Sequence, residues 1–424
     1  MNDKYLIRRI KNINDFKMLL DVYHEVFYPE KVDEFARQIH NSFPGVKNKH
    51  WLVAEDVSSH KIVSGMALIP WIWKINGIEI KVAELGLVAT CEQHRGKGLM
   101  RKLNAEFDKQ LADEHYDLAC IQGIPGFYHK FGYHYTIPME NHINLDLGCI
   151  DESYNSEQFR IRKADFSDIP FLMSEDEKYR HKNFISSFRS KQQWEYILSD
   201  GKKTEYGSDV YMIESENEKY YCRVLYVGFG KGLIVSEVSY SMHFEAMNFL
   251  LYQLRQMAEA EEKPFIRFNI PAESTAGRFV IALGAEKSKS YAWQIKIPNK
   301  IRCLNKLKPV FNERLKHSGM NNCSDTFRLD FFSESIDIAL KNGIIESIGQ
   351  SFVKEVENVF YMPADLFAVL VLGHRNWEQL QYFRPDIGPA NIYHNPELKP
   401  SDDKTWQLMN VLFPTEASWV YLPY

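Results

Sequence analysis

The sequence predicts an α/β (α+β) protein built from several domains. One observation is local: an apolar run Leu85–Thr90, a short polar turn, then Arg95-Gly96-Lys97-Gly98 opening a helix. A second is length, since 424 residues exceed one ordinary core and suit two to four domains. A third is the segment Gly148–Gln158, where the composition turns polar with several acids and marks a boundary.

In order, Ile7–Arg9 reads as a short strand. Asn14 or Asp15 can cap a helix carrying Phe16, Leu19, Leu20, Val22, Tyr23 and Phe27. A second short helix falls near Glu34–Asn41. Trp51–Glu55 and Ile62–Ile75 read as strands joined by the polar turn Ser58-Ser59-His60. Asn76-Gly77 signals a hairpin, and Ile78–Thr90 is the next strand. Its end is apolar on both faces, as a central strand is. Met100, Leu103, Phe107 and Leu111 then recur at helical spacing, with charged residues largely between them. Leu118–Gln122 is the following strand.

Phe159–Pro298 reads as a second α/β domain. Phe159–Arg162 opens it as a strand, Ser167-Asp168 starts a helix, and helix Phe244–Glu259 follows the apolar strand Leu233–Val238. No Arg-Gly-x-Gly precedes that helix. Ile301–Tyr424 is a third unit, with strands at Thr326–Leu329 and Gly349–Val353. Met362-Pro363-Ala364-Asp365 caps a helix through Leu366, Val369 and Leu370. Trp406–Leu412 is another helix, ended by Phe413-Pro414. The aromatic tail Trp419–Tyr424 is too apolar to lie free in water. The domain boundaries fall at 1–150, 151–298 and 299–424.

A formal charge of −5 argues against a nucleic-acid binder, which carries a basic face. The six cysteines form no CxxC pair and no zinc spacing with histidine, so no metal site is expected. Scattered cysteines suggest reduced thiols and a cytoplasmic home. The N-terminus has no apolar signal core. No run approaches the roughly 18 apolar residues of a membrane span.

The Arg-Gly-Lys-Gly turn is an anion cradle. Glycines let a ligand approach the backbone, and the first helical turn offers unpaired N–H groups and a partial positive end. A nucleotide-triphosphate loop needs G-x-x-x-x-G-K-[ST], but Cys91 holds the first glycine position and Gly98 follows Lys97. A dinucleotide fingerprint needs a third glycine where Arg101 stands. What remains is Gln93-x-x-Gly96-x-Gly98 between a strand and a helix, which resembles the pyrophosphate loop of GCN5-related N-acetyltransferases.

The sequence as a whole resembles the enhanced-intracellular-survival (Eis) type of that family. Such proteins join an N-terminal acetyltransferase domain, a second one without the cofactor loop, and a C-terminal α+β domain similar to sterol carrier proteins. The resemblance implies acetyl-CoA as co-substrate, without metal, and a primary amine acceptor, aminoglycoside-like or lysine-like. It also implies a homo-oligomer, a hexamer in such relatives. Val88, Ala89 and Thr90 would offer backbone groups to the pantetheine arm. Arg95, Gly96, Lys97, Gly98, Leu99, Met100 and Arg101 would hold the pyrophosphate. Tyr128, in Tyr-x-Lys-Phe-Gly-Tyr, matches the family's tyrosine acid, and the terminal carboxylate of Tyr424 matches its base. Gly123-Ile124 stands where relatives often carry Ser-Glu, so the resemblance carries over backbone contacts there and not the side-chain ones.

The chemistry is consistent with this. An amine attacks the thioester, a base takes its proton, and an acid protonates the departing thiolate. Tyrosine suits a thiolate because their reference pKa values are close. The motif favours Tyr128 as the acid over an ordinary half-buried core tyrosine, and Glu84, on the strand beside the loop, is the alternative base. His129 and His134 read as surface or packing residues. The competing function is a non-catalytic ligand or lipid carrier, which would need an open apolar cavity in the third unit.

Overall fold

The computed structural model describes residues 4–154, 157–226, 231–391, 397, 399 and 402–424. Its first elements follow the expected order. They are β1 (Tyr5–Arg9), α1 (Ile13–Phe27), α2 (Val32–Ser42), β2 (Trp51–Asp56), β3 (Lys61–Ile75), β4 (Ile78–Thr90), α3 (Leu99–Asp113), β5 (Leu118–Ile121) and β6 (His134–Asp146). The β3–β4 hairpin turns at Asn76-Gly77, both at positive φ, as a tight two-residue turn requires. The α1 cap differs from expectation. Asn12 accepts the N–H groups of Asn14 and Asp15. Asp15 is drawn instead to Arg8, whose guanidinium bonds both its oxygens at 2.6 and 2.9 Å.

Next come β7 (Arg160–Lys163), α4 (Ile169–Arg180), β8 (Ile185–Phe188), α5 (Lys191–Leu198), β9 (Ser208–Glu214), β10 (Lys219–Leu225), β11 (Leu233–Val238), α6 (Phe244–Ala260), β12 (Phe265–Phe268), α7 (Thr275–Ala282) and β13 (Glu286–Lys296). All these strands form one 13-stranded sheet, in the order β1-β2-β3-β4-β5-β13-β6-β12-β11-β10-β9-β7, with β8 against β3. Two neighbouring pairs are parallel, β4/β5 and β11/β12. The closing strands are exchanged. β6 follows β5 in the chain but pairs with β12, and β13 follows β12 but pairs with β5.

The C-terminal part contains α8 (Lys300–Lys316), β14 (Asp325–Asp330), β15 (Ser335–Lys341), β16 (Ile344–Gln350), β17 (Asn358–Tyr361), α9 (Phe367–Val371), α10 (Trp377–Gln381), β18 (Gly388–Pro389) and a last helix, Lys404–Leu412. Its sheet runs β16-β15-β14-β17-β18. The strand expected at Gly349–Val353 starts earlier, at Ile344. The Asn342-Gly343 turn, again at positive φ, reverses the chain there, and Phe352 and Val353 leave the ladder to donate their N–H groups to Asp337.

Leu99, Leu103, Phe107 and Leu111 of α3 cover one face of the first half of the large sheet. Phe16, Leu19 and Tyr23 of α1 share a core with Leu304 and Leu307 of α8. The tail is buried, as its composition requires. Trp419 and Tyr421 pack with Tyr179, and the Tyr424 ring meets Phe35, Phe43, Trp71 and Tyr206. Among the described residues no helix is long and apolar enough to cross a membrane.

Candidate active site

β4 and β5 pair as far as Glu84 and Cys120, after which β5 ends and β4 runs on to Thr90. A cleft of about 620 Å³ opens beyond this fork. A bulge in the β3–β4 ladder and a positive φ at Leu87 reorient the strand before Val88. Val88, Ala89, Thr90, Arg95, Gly96, Gly98, Leu99, Met100, Arg101 and Tyr128 all line this cleft. Ser64 occupies the Ala89 carbonyl and the Thr90 hydroxyl, each at 2.7 Å, and Arg95 reaches the Thr90 carbonyl at 3.3 Å.

Gly96 and Gly98 adopt φ of 73° and 74°, and Gly98 is the residue before the first turn of α3. A Cβ at either would meet no atom within 4 Å, so the backbone conformation is what calls for glycine there. The first-turn N–H groups of α3 are thus open to the cleft. Arg95, Arg101 and Lys130 line it, together with His94, and no carboxylate is among the lining residues described. Such a surface suits an anionic ligand.

Two expected residues do not line the cleft. Lys97 turns back, its ammonium donating to the Gln93 carbonyl at 2.5 Å. Tyr424 lies deeper in the core, where its hydroxyl donates to both oxygens of Glu84 at 2.9 and 3.1 Å and accepts from Gln122 at 3.2 Å. Its backbone oxygen accepts from Arg223 at 2.6 Å. Arg223 belongs to a buried lattice in which Glu237 also receives Arg189, and Arg189 reaches Asp176. Burial pushes the Glu84 carboxyl up to about 8, against the pull of the Tyr424 hydrogen bond.

Tyr128 starts the short turn Tyr128–Phe131. Its ring is buried. Burial pushes the phenol up to about 12. Its ring lies so close to Gly123 that a Cβ there would sit 2.3 Å from Cδ2. His129 is exposed and His134 half-buried. Sequence reasoning missed His94, which bonds the Tyr5 hydroxyl at 3.0 Å, and Phe27. It also passed over Lys130, although that residue stands inside the quoted tyrosine motif; its ammonium lies 3.8 Å above the Phe127 ring.

A family model described as acetyltransferase (GNAT) domain matches residues 7–136. This segment is therefore similar to GNAT acetyltransferase domains, whose family transfers acyl groups from acetyl-CoA. Over nearly its whole length the chain shares the fold of Eis1 from Mycobacterium abscessus, with a TM-score of 0.59 at 10% identity over 99% of each chain. It is similar also to a probable N-acyltransferase from Enterococcus faecalis V583, with a TM-score of 0.69 at 13% identity over 99% of each chain. A GCN5-related N-acetyltransferase from Kribbella flavida gives a TM-score of 0.68 at 11% identity, over 98% of this chain and 99% of that one. No curated protein sequence matches the chain. Among the described residues no group of His, Cys, Asp and Glu could hold a metal ion.

Proposed function

We propose that the chain is an acetyl-CoA-dependent N-acetyltransferase of the Eis type, acting on a primary amine by direct attack on the thioester. The observation that carries this is the cleft beyond the β4–β5 fork. It is lined by Arg95, Arg101, Lys130 and the start of α3, with no carboxylate among its described lining residues, and it is bordered by Tyr128. Arg95 through Arg101, without the Lys97 side chain, would hold the pyrophosphate. Tyr128 stays protonated at working pH and would donate its hydrogen to the departing sulfur.

The tandem arrangement is part of the same reading, with domains 1–150, 151–298 and 299–424. Its support is a repeated ion cluster. Arg8 on β1 bonds Asp15 and Glu55, and Arg162 on β7 bonds Asp168 and Glu214. The second domain would bind no cofactor. Between β11 and α6 stand Ser239–His243 with no glycine, and the space there shrinks to about 10 Å³ bounded in part by Tyr179, Tyr240 and Tyr421.

For the base, the α-carboxylate of Tyr424 is carried over from the resemblance, although it lies outside the cleft with its backbone oxygen on Arg223, and Glu84, pushed up to about 8 by burial, is the alternative. The test is calorimetry with acetyl-CoA, followed by turnover against an aminoglycoside, a polyamine and a lysine peptide. Residues appended after Tyr424 should abolish turnover and leave acetyl-CoA affinity intact. No heat with acetyl-CoA would overturn the whole reading.

A further inference from the structure

The turn that carries Tyr128 is not held by its own domain alone. Gly123 is buried at the end of β5, and its carbonyl oxygen accepts two hydrogen bonds, both from β13. One comes from the buried Gln294 amide at 2.8 Å, the other from the Tyr291 hydroxyl. The face of Gly123 that would carry a side chain is shared by the Tyr128 ring and the Gln294 amide. A Cβ there would lie 2.3 Å from Tyr128 Cδ2 and 3.0 Å from Gln294 Nε2. Gln294 stands opposite Ile121 in the β5–β13 ladder, so its position is set by the exchanged strand.

We infer that Gln294 and Tyr291 are positioning residues for the acid of the reaction. They pin the Gly123 carbonyl, Gly123 sets the plane of the Tyr128 ring, and the ring aims the phenol. The inference rests on the reading of Tyr128 as the acid. It gives the second domain, without a cofactor loop of its own, a part in the chemistry of the first.

The physical argument is one of alternatives. A buried hydrogen bond lost is costly, and loss of the amide leaves the Gly123 carbonyl to the Tyr291 hydroxyl alone, so the backbone is free to shift toward that one donor. Gly123 has no side chain to resist that movement. A displacement of about 1 Å in a reacting group costs roughly a hundredfold in rate.

The test uses the full chain, acetyl-CoA and the fastest amine among the aminoglycoside, polyamine and lysine peptide. Gln294→Met keeps the volume and removes the donor. We expect its kcat to fall roughly ten- to a hundredfold, while acetyl-CoA affinity by calorimetry stays within about twofold. Tyr291→Phe should move kcat in the same direction and less, and it carries the test if Gln294→Met does not fold. In a Tyr128→Phe background neither change should cost further rate, a non-additivity that a general loss of stability would not produce. If Tyr128→Phe is inactive and both variants keep full kcat, or their losses multiply with it in full, the inference is wrong and the reading of Tyr128 stands. If Tyr128→Phe keeps full activity, the acid reading falls and takes this inference with it.

Discussion

At the scale of single residues, two titrating groups make opposite statements. The Tyr128 phenol, pushed up to about 12 by burial, keeps its proton across the working range. Tyr128→Phe should therefore lose roughly 10²–10⁴-fold in kcat with acetyl-CoA affinity unchanged. Any alkaline fall in wild-type rate below about pH 10 should survive in the residual activity of that variant; its disappearance would assign the fall to Tyr128. Glu84 acts on stability instead. Its folded pKa of about 8 lies above the unfolded value, so the unfolded chain releases the proton first and stability falls with rising pH between about 4.5 and 8. The limit is about 1.4 kcal/mol per pH unit. The melting-temperature advantage of Glu84→Gln over wild type should widen from pH 5 to pH 8, and parallel curves would show Glu84 ionised in the folded state. The sequence singled out Tyr128, which lines the cleft, and Glu84, which stands on the strand that runs into it. It could not show that Tyr424 would hold Glu84 by its phenol, because that contact spans 340 positions. Nor could it show that Lys97 would turn away, since a lysine in a glycine turn reads as a phosphate ligand until its nearest carbonyl is known.

At the scale of elements, the loop between β4 and α3 depends on backbone conformation more than on space. Gly98 lies at φ 74°, where a residue with a side chain pays about 1–2 kcal/mol. Gly98→Val should lower the melting temperature modestly and remove acetyl-CoA binding, because the branched side chain projects into the cleft. Unchanged affinity in a folded variant would deny the loop its ligand. Elements with a local signal were legible almost to the residue. The Asn76-Gly77 turn fixed β3 and β4, and the apolar spacing of Leu103, Phe107 and Leu111 fixed α3. Where two signals lay close together the reading slipped. Asn12 competed with Asn14 for the α1 cap, and Asn342-Gly343 moved β16 forward from Gly349–Val353. The repeated cluster of Arg8 with Asp15 and Arg162 with Asp168 was available in the sequence as an arginine followed six or seven residues later by an aspartate. It went unread because each residue alone resembles a solvated charge.

At the scale of the whole molecule, a linear division at residue 150 cuts through a continuous sheet. Without β13, a fragment of residues 1–150 exposes the edge of β5 and leaves β6 without either of its neighbours. Such edges invite association. We expect that fragment alone to aggregate or to bind acetyl-CoA at least tenfold more weakly than the full chain. Co-expression with residues 151–424 should restore binding, and a fragment that is monomeric and binds fully would show that the exchange adds nothing to the site.

The exchanged strands also impose an order on synthesis. A protein made from its N-terminus can usually finish its first domain before the second has left the ribosome. Here β5 is complete at Ile121, yet the strand it pairs with begins at Glu286. At roughly 5–20 residues per second the nascent chain waits about ten to thirty seconds with that edge bare. During this interval β5 lacks its β13 neighbour, and Gly123, beside Tyr128, is still without the Gln294 amide. A ribosome that stalls between these two points therefore releases a chain with an open sheet edge.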